Sequence, residues 1–247
     1  MSALKNIEGH NVPDVTLMFR KDGDWAKVTT DDLFANKTVV VFSLPGAFTP
    51  TCSSSHLPRY NELAPIFKTH GVDSIVCVSV NDPFVMEEWA RDQESENVML
   101  LPDGAGAFTR GMGMMVDKSA INFGDRSWRY SMLVKNKKIE KMFIEPVKEG
   151  DPFEVSDADT MLNFIDPSAK GPDQVAILTR IGCPHCAHAK KALTAAGLDY
   201  VEVPLGHTIR TKAVGAISGG KTVPQVFING ELIGGADELD LYLKKAA

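Results

Sequence analysis

Two cysteine motifs hold the residues of this chain whose types and spacing are best suited to chemistry. Cys52 ends the run Pro45-Gly-Ala-Phe-Thr49-Pro-Thr-Cys52, and Cys183 and Cys186 form the motif Cys-Pro-His-Cys. Cys52 follows an apolar strand pattern and a loop that contains proline, so we expect it in the first turn of a helix. Unpaired backbone N–H groups and the positive end of the helix dipole favour a thiolate there. Because the thiolate is the form of cysteine that attacks a peroxide, Cys52 is a candidate peroxide-reducing residue.

Peroxide reduction also needs hydrogen-bond donors beside the thiolate. A hydroxyl and a guanidinium are suited to align the O–O bond and to stabilise the developing oxyanion, and Thr49 supplies the hydroxyl. The residues alone leave the guanidinium open among Arg20, Arg59, Arg91, Arg110, Arg126 and Arg129. They also leave open the simpler interpretation of Cys52 as a small buried hydrophobic residue near a helix start.

The Cys183/Cys186 motif is typical of a redox-active dithiol. Cys183 is expected at the exposed N-terminus of a helix, with Cys186 one turn behind it and able to close a disulfide. A zinc site would add one of the histidines His185, His188 and His207. No second Cys-x-x-Cys or histidine pair at finger spacing supports zinc, although the alternative stays open, as does a purely structural pair. Haem attachment is excluded, because Ala187 stands where it requires histidine.

The composition excludes several classes of function. A net charge of -6 argues against a nucleic-acid surface, because phosphate binding needs clustered lysine and arginine. The N-terminal segment has no apolar run of signal-peptide length, and no later segment reaches the ~18 apolar residues of a membrane span. Four cysteines, two of them in one Cys-x-x-Cys motif, indicate reactive thiols rather than the disulfide scaffold of a secreted protein. We therefore expect a soluble cytoplasmic protein with neither nucleic acid nor membrane as partner.

Apolar periodicity predicts an α/β fold in both halves of the chain. In the first half, 38–42 and 74–80 are β-branched runs typical of strands buried on both faces, and the segment between them has helical spacing. In the second half, 175–179 is a predicted strand and 184–196 a predicted helix. A hairpin with an Asn229-Gly230 turn follows them.

A change of pattern divides the two halves. The first half contains a predicted hairpin over 130–144, turned at 136–138. Two prolines and a glycine then interrupt the periodic pattern between residues 166 and 173, which predicts a linker. We expect one domain over 1–165 and a second over 174–247.

Residues 3–165 resemble the peroxiredoxins, in particular their type II subfamily. The resemblance rests on the run from Pro45 to Pro58, on Val78-Ser-Val-Asn-Asp-Pro-Phe84 and on Arg129-Tyr-Ser-Met132. It implies a thioredoxin fold for the first domain and implies hydrogen peroxide and small alkyl hydroperoxides as substrates. Since peroxiredoxins commonly associate, it also implies a homo-oligomer, either a dimer or a tetramer.

The same resemblance implies a role for each residue of the first motif. Cys52 is the peroxidatic cysteine and passes from thiolate to sulfenic acid. Pro45 shields the site, Thr49 hydrogen-bonds the thiolate and the peroxide, and Arg129 stabilises both. Arg126 is the competing guanidinium, but Arg129 fits the family pattern better because it directly precedes the predicted strand.

Two further residues receive structural interpretations. Cys77 lies in the apolar run 74–80, where a buried core residue is the commoner outcome. Some type II peroxiredoxins suggest a resolving cysteine at this place, so that role stays open. His56 follows Cys52 on the predicted helix and is interpreted as a hydrogen-bonding partner, because an existing thiolate needs no base.

Residues 174–247 resemble the glutaredoxins over essentially their whole length. The motifs are the Cys183/Cys186 dithiol, Thr222-Val223-Pro224-Gln-Val-Phe-Ile228 and Gly234-Gly235-Ala236-Asp237-Glu-Leu239. The resemblance implies a second, smaller thioredoxin fold whose dithiol exchanges with glutathione. His185 stands where tyrosine is common and Ala236 where cysteine often is, and neither departure removes a catalytic atom.

The glutaredoxin resemblance also implies a glutathione site. Pro224 becomes a cis proline beside the dithiol, and the backbone of Val223 pairs with the cysteinyl part of glutathione. Ala236 and Asp237 lie at a helix start, where backbone N–H groups suit the γ-glutamyl carboxylate and Asp237 receives the amine. The remaining residues of the implied site are Arg180 and Lys212, for the glycyl carboxylate, together with Thr222 and Gly235.

The sequence therefore predicts a peroxiredoxin–glutaredoxin fusion that acts as a glutathione-dependent thiol peroxidase. The sulfenic acid of Cys52 forms a mixed disulfide with glutathione or with Cys183, and the dithiol domain returns it to a thiol. Glutathione is the electron-donating co-substrate, no bound cofactor or metal is expected, and tethering raises the local reductant concentration to the ~millimolar range. Two alternatives stay open. One is a general thiol–disulfide oxidoreductase whose first domain only recruits substrates, and the other is a peroxide sensor that passes oxidation to a partner protein.

Overall fold

The computed structural model describes residues 4–148, 150–206 and 209–246. The chain divides after Gly171 into two compact units. Both units combine strands and helices, so the predicted α/β class is confirmed. None of the helices in the described part of the chain has the length and apolar character needed to span a bilayer.

The first unit contains nine of the described strands and five α-helices. The strands are β1 (Thr16–Lys21), β2 (Asp24–Thr29), β3 (Thr38–Leu44), β4 (Ser74–Ser79), β5 (Val98–Pro102), β6 (Met115–Asp117), β7 (Asp125–Ser127), β8 (Tyr130–Lys135) and β9 (Lys138–Ile144). The helices are α1 (Thr30–Phe34), α2 (Leu57–Thr69), α3 (Pro83–Asp92), α4 (Ala107–Gly111) and α5 (Ala158–Ile165). A π-helical turn over Cys52–His56 leads into α2, and a short 3-10 turn covers Ser119–Ile121.

The central sheet of the first unit has strand order β5-β4-β3-β8-β9. Strands β3, β4 and β5 are parallel to one another, whereas β8 pairs antiparallel with β3 and β9 pairs antiparallel with β8. Alternate residues of β3 enter two different cores, with Val39 and Val41 on one face and Val40 and Phe42 on the other. The strand is therefore buried on both faces, as its continuous β-branched run predicts.

The second unit has a four-stranded sheet with order β11-β10-β12-β13. Its elements are β10 (Val175–Thr179), α6 (Pro184–Ala195), β11 (Val201–Pro204), α7 (Thr211–Ser218), β12 (Gln225–Ile228), β13 (Glu231–Gly234) and α8 (Ala236–Ala246). Strand β10 is parallel to β11 and antiparallel to β12. The core lies between the sheet and the inner faces of α6 and α8, and it includes Ile177, Leu193, Val226 and Leu239.

Two tight turns fix the register of the hairpins. Asn136 and Lys137 have φ of 46° and 69° between β8 and β9, and Asn229 and Gly230 have φ of 51° and 83° between β12 and β13. Positive φ at both central residues is the mark of a type I′ turn, whose twist matches that of the paired strands. The predicted Asn-Gly hairpin is confirmed.

Candidate functional site

Cys52 lies at the start of a helical segment that follows the buried strand β3. The helical segment begins at Pro50, and the Thr49 carbonyl accepts a 3.0 Å hydrogen bond from the N–H of Ser53. The backbone then forms the π-helical turn Cys52–His56, in which the N–H of Leu57 donates to the Cys52 carbonyl. Cys52 has no exposed surface. The predicted position in a first helical turn is confirmed, and the π turn adds an irregularity of a kind common at functional sites.

The loop before Cys52 is held by Asn81, which the sequence did not single out. The amide oxygen of Asn81 accepts a 3.0 Å hydrogen bond from the N–H of Ala47 and a 2.7 Å hydrogen bond from the hydroxyl of Ser79. Phe48 in this loop has φ of 60°, a left-handed conformation that costs free energy for an aromatic residue. The surrounding contacts therefore impose the shape of this loop.

Pro45 and Thr49 lie at the two ends of that loop. Pro45 directly follows β3 and is half-buried. The Thr49 hydroxyl donates a 2.8 Å hydrogen bond to the carbonyl of Gly46. Because its proton is directed to Gly46, the Thr49 oxygen has lone pairs free to accept a hydrogen bond from the O–H of a peroxide.

Arg129 is the arginine that the structure brings to Cys52. Its side chain is 1% exposed, and Nη1 lies 3.4 Å from Cys52 Sγ. Arg126 instead donates from Nε to the carbonyl of Phe123 at 3.0 Å and from Nη1 to the carbonyl of Val80. Arg129 therefore has the geometry to stabilise a thiolate at Cys52, whereas the guanidinium of Arg126 is bound to backbone carbonyls elsewhere.

Arg129 also contacts His56 and Asp151. Nη1 donates to His56 Nδ1 at 3.1 Å, and Nη2 donates to both carboxylate oxygens of Asp151 at 2.6 and 2.7 Å. His56 Nε2 lies 3.1 Å from the carbonyl of Ser156, so Nε2 carries the ring proton and Nδ1 is the acceptor. Burial and the adjacent Arg129 cation lower the pKa of His56 to about 3. His56 is therefore a neutral hydrogen-bonding partner.

Cys77 lies in β4 opposite Phe42 of β3 and has no exposed surface. Burial raises the pKa of its thiol well above the ordinary value, and the nearby Cys52 acts in the same direction. A thiol that stays protonated is a poor nucleophile. This environment favours the interpretation of Cys77 as a core residue.

The dithiol of the second unit has two thiols with opposite properties. Cys183 caps the N-terminus of α6, where its Sγ accepts a 3.2 Å hydrogen bond from the N–H of Cys186. Partial burial opposes the Cys183 thiolate, but hydrogen bonds from Cys186 and His185 outweigh it and lower the pKa of Cys183. Burial, followed by the contact with Cys183, raises the pKa of Cys186 to about 11. These opposite shifts favour Cys183 as the nucleophile and Cys186 as its protonated partner.

A groove of about 300 Å³ opens beside Cys183. Arg180, Thr222 and Val223 of the predicted glutathione set line this groove. The Val223–Pro224 peptide bond is cis, and the Val223 carbonyl lies 3.8 Å from Cys183 Sγ. Lys212 is exposed on α7 and is not among the lining residues, whereas Lys221, which the sequence did not suggest, is one of them.

The start of α8 lies close to the cis proline. A Cβ atom added to Gly235 would stand 3.8 Å from the carbonyl oxygen of Pro224. Ala236 is buried and Asp237 is exposed in the first turn of α8. The Glu238 carboxylate already accepts a 2.8 Å hydrogen bond from the N–H of Gly235, whereas the N–H groups of the first turn of α8 have no acceptor within the helix.

The zinc alternative involved three histidines. His188 pairs with Asp240 at 2.9 Å on the outer side of α6, and His185 lines the groove beside Cys183. His207 lies outside the described residues. Within the described ranges no three His, Cys, Asp or Glu side chains are grouped to hold a metal ion.

Comparisons with known proteins match both units. The Redoxin family profile matches residues 7–162 and the Glutaredoxin profile residues 175–233. The chain is 59% identical over 239 residues to the Hybrid peroxiredoxin hyPrx5 of Haemophilus influenzae, over 97% of this chain and 99% of that protein. It is 59% identical over 145 residues to Peroxiredoxin sll1621 of Synechocystis, over 57% of this chain and 77% of that protein.

Solved structures match the first unit. Reduced Prx3 in complex with H2O2 from Vibrio vulnificus is 40% identical with a TM-score of 0.62, and the match covers 66% of this chain and 100% of that chain. Peroxiredoxin 5 from Alvinella pompejana is 30% identical with a TM-score of 0.58. The predicted tandem of two thioredoxin-fold domains is confirmed in the predicted order.

Proposed function

This chain belongs to the Redoxin family and has a glutaredoxin domain after its peroxiredoxin domain, and on that premise we propose that it reduces peroxides with electrons from glutathione. Hydrogen peroxide and small alkyl hydroperoxides are the substrates in this proposal. The proposed domains are 1–165 and 174–247, joined by a linker at 166–173. The observation that supports it best is the 3.4 Å contact between Arg129 Nη1 and Cys52 Sγ in a fully buried site.

The first step is attack of the Cys52 thiolate on one oxygen of the peroxide. The S–O bond forms as the O–O bond breaks, and the leaving alkoxide or hydroxide takes a proton to become an alcohol or water. Arg129 stabilises the negative charge as it passes from sulfur to the leaving oxygen. The Thr49 oxygen accepts from the peroxide O–H and so aligns the O–O bond with the thiolate. The product is the sulfenic acid of Cys52.

The second step replaces the sulfenic hydroxyl by a thiol sulfur. A thiolate of glutathione or of Cys183 attacks the Cys52 sulfur, a disulfide forms and water leaves. When glutathione has formed the mixed disulfide with Cys52, the Cys183 thiolate attacks the glutathione sulfur. A disulfide between Cys183 and glutathione forms, and the Cys52 thiolate leaves. Its lowered pKa supports this role, because the thiolate is the attacking form. Further glutathione reduces the second unit and yields glutathione disulfide.

The glutathione site proposed for the second unit follows the groove beside Cys183. Arg180 and Lys221 line it and supply positive charge for the glycyl carboxylate, and the Val223 backbone faces the cysteinyl part. Lys212, which does not line the groove, stays in the proposal as a further candidate for the glycyl carboxylate.

A coupled assay tests the proposal. Peroxide consumption is followed with glutathione, glutathione reductase and NADPH as the electron supply, and it is compared with consumption when thioredoxin and its reductase replace them. We expect steady turnover with glutathione alone. If peroxide is consumed only once per chain, the chain is a sensor that passes oxidation to a partner, and if it is not consumed at all, the chain is a general oxidoreductase.

A further inference from the structure

Asp151 holds one end of the guanidinium whose other end contacts Cys52. Both carboxylate oxygens of Asp151 accept from Nη2 of Arg129, at 2.6 and 2.7 Å. At the other end, Nη1 lies 3.4 Å from Cys52 Sγ and 3.1 Å from His56 Nδ1. The Phe153 ring covers the cation at 5.5 Å. The guanidinium is thus fixed between an acidic side chain and the reacting thiol.

Arg129 and Asp151 differ in their exposure. The Arg129 side chain is 1% exposed, whereas that of Asp151 is 43% exposed. A buried cation is costly without a counter-charge, and in the described part of the chain Asp151 is the acidic side chain that forms an ion pair with Arg129. Arg129 Nε has no hydrogen-bond partner. The orientation of the guanidinium therefore depends on what its two terminal nitrogens contact.

The segment that contains Asp151 is anchored by Glu145. The buried carboxylate of Glu145 accepts hydrogen bonds of 2.8 to 3.0 Å from the backbone N–H groups of residues 154 to 156. Ser156 in turn presents its carbonyl to His56 Nε2 at 3.1 Å. The same segment thus contacts both His56 and Arg129, and it is anchored to Glu145 from three residues after Asp151 onward.

We propose that Asp151 is a positioning residue for peroxide reduction, because its carboxylate sets the orientation in which Nη1 of Arg129 faces Cys52. This inference rests on the function proposed above for Cys52. The carboxylate has two opposing effects on the thiolate. Its charge weakens the positive potential at Cys52, whereas its two hydrogen bonds hold the donor in place. Positioning dominates, since hydrogen bonds weaken steeply below ~120° and the charge of a partly exposed carboxylate is screened by water.

Two substitutions of Asp151 separate these effects. Asp151→Ala removes both the charge and the hydrogen bonds, and it should slow the reaction of Cys52 with hydrogen peroxide by about tenfold or more. Asp151→Asn removes the charge but keeps one acceptor oxygen, and it should stay within about threefold of the wild-type rate. The matched control is Glu154→Ala, which removes an exposed carboxylate of the same segment that pairs with Lys148. It should leave the rate unchanged.

A second readout reports on the Cys52 thiolate without peroxide. The full-length proteins are treated with iodoacetamide across a pH series, and alkylation of the peptide over residues 38–59 is measured by mass spectrometry. Asp151→Ala should show a smaller thiolate fraction at a given pH, and Asp151→Asn should show an equal or larger one. If both variants lose activity equally while the alkylation profile is unchanged, Asp151 is merely structural and the proposal is overturned. An enlarged thiolate fraction in both, with an unchanged peroxide rate, overturns it as well.

A double-mutant cycle shows whether Asp151 acts through Arg129. In the Arg129→Met protein, the further change Asp151→Ala should have no additional effect on the peroxide rate, because the group it positions is gone. Independent, additive effects overturn the proposal. Failure of the proposed function of Cys52 is recognised separately. A Cys52→Ser protein that still consumes peroxide refutes the role of Cys52, and it does not alter the alkylation measured in the Asp151 variants.

Discussion

Replacing Arg129 by methionine should remove most of the peroxide reactivity of Cys52. The change deletes a cation that is 1% exposed and whose Nη1 lies 3.4 Å from the sulfur. A hydrogen bond to a charged group contributes about 1.5 to 3 kcal/mol. At 1.36 kcal/mol for each tenfold change in rate, its loss corresponds to about 10- to 150-fold. Loss of the same donor to the developing oxyanion adds to this, so we expect slowing on the order of 10² or more.

Arg126 provides the matched control for this experiment. Its guanidinium donates to the carbonyls of Phe123 and Val80 and not to Cys52. The Arg126→Met protein should therefore keep its peroxide rate within about threefold, even if it loses some stability. The comparison holds chain length, replacement residue and net charge constant, so only the position of the guanidinium differs.

Stopped-flow fluorescence is suited to measure the first step in both proteins. The indole N–H of Trp89 donates a 3.0 Å hydrogen bond to Ser53, the residue after Cys52, so oxidation at Cys52 should change the emission of this buried tryptophan. Glutathione-dependent disulfide reduction by the second unit serves as the internal control for intact protein. A larger rate loss in Arg126→Met than in Arg129→Met would refute the assignment of Arg129.

The remaining predictions concern the four cysteines and the buried imidazole of His56. Cys52→Ser should abolish peroxide reduction while disulfide reduction by the second unit stays near wild type, and Cys77→Ser should retain turnover. Loss of turnover in a folded Cys77→Ser protein would make Cys77 the resolving thiol. With glutathione as sole reductant, Cys183→Ser should reduce peroxide once at Cys52 at the normal fast rate and then stop, whereas Cys186→Ser should keep part of its turnover. Undiminished turnover in Cys183→Ser would exclude the transfer of electrons from Cys183 to Cys52. Because the folded pKa of His56 is about 3 against an ordinary 6.5, the unfolded chain binds an extra proton between these values. The stability that neutral His56 contributes is therefore present above about pH 6.5 and lost as the pH falls toward 3. The urea midpoint of the wild-type protein should fall more steeply over that pH range than the urea midpoint of His56→Gln.

The sequence predicted the strands around Cys52 well because burial on both faces leaves a clear apolar run. The predicted strand 38–42 is β3, which continues to Leu44. Its extension includes Ser43, a polar residue that ends the apolar pattern. In the sheet the Ser43 hydroxyl donates a 2.6 Å hydrogen bond to the Val78 carbonyl, so the strand stays buried without an unpaired polar group. A hydrogen bond made across strands cannot be foreseen from one strand alone.

Three other features of the structure were not predicted from the sequence. The β1–β2 hairpin turns at Asp22 and Gly23, with φ of 54° and 87°, and Asp-Gly is a residue pair that favours such a turn. No sequence pattern indicated the contact between Arg129 and Asp151, because Asp151 lies in an irregular segment after β9. The groove is lined by Lys221, which lies after the end of α7, and not by Lys212, which lies on α7.

The thiols of Cys52 and Cys183 lie in different surroundings. Cys52 has no exposed surface, and its sulfur contacts a guanidinium from the residue that precedes β8. Cys183 accepts a hydrogen bond from an N–H group of its own helix and lies beside a groove of about 300 Å³. A disulfide joins two sulfurs at about 2.05 Å, so a fully buried Cys52 sulfur cannot meet a second thiol where it stands. In the proposed cycle, oxidised Cys52 therefore has to leave its buried position before a thiol reduces it. We expect the π turn Cys52–His56 to unfold locally for this movement, because its backbone hydrogen bonds already depart from the regular helical pattern.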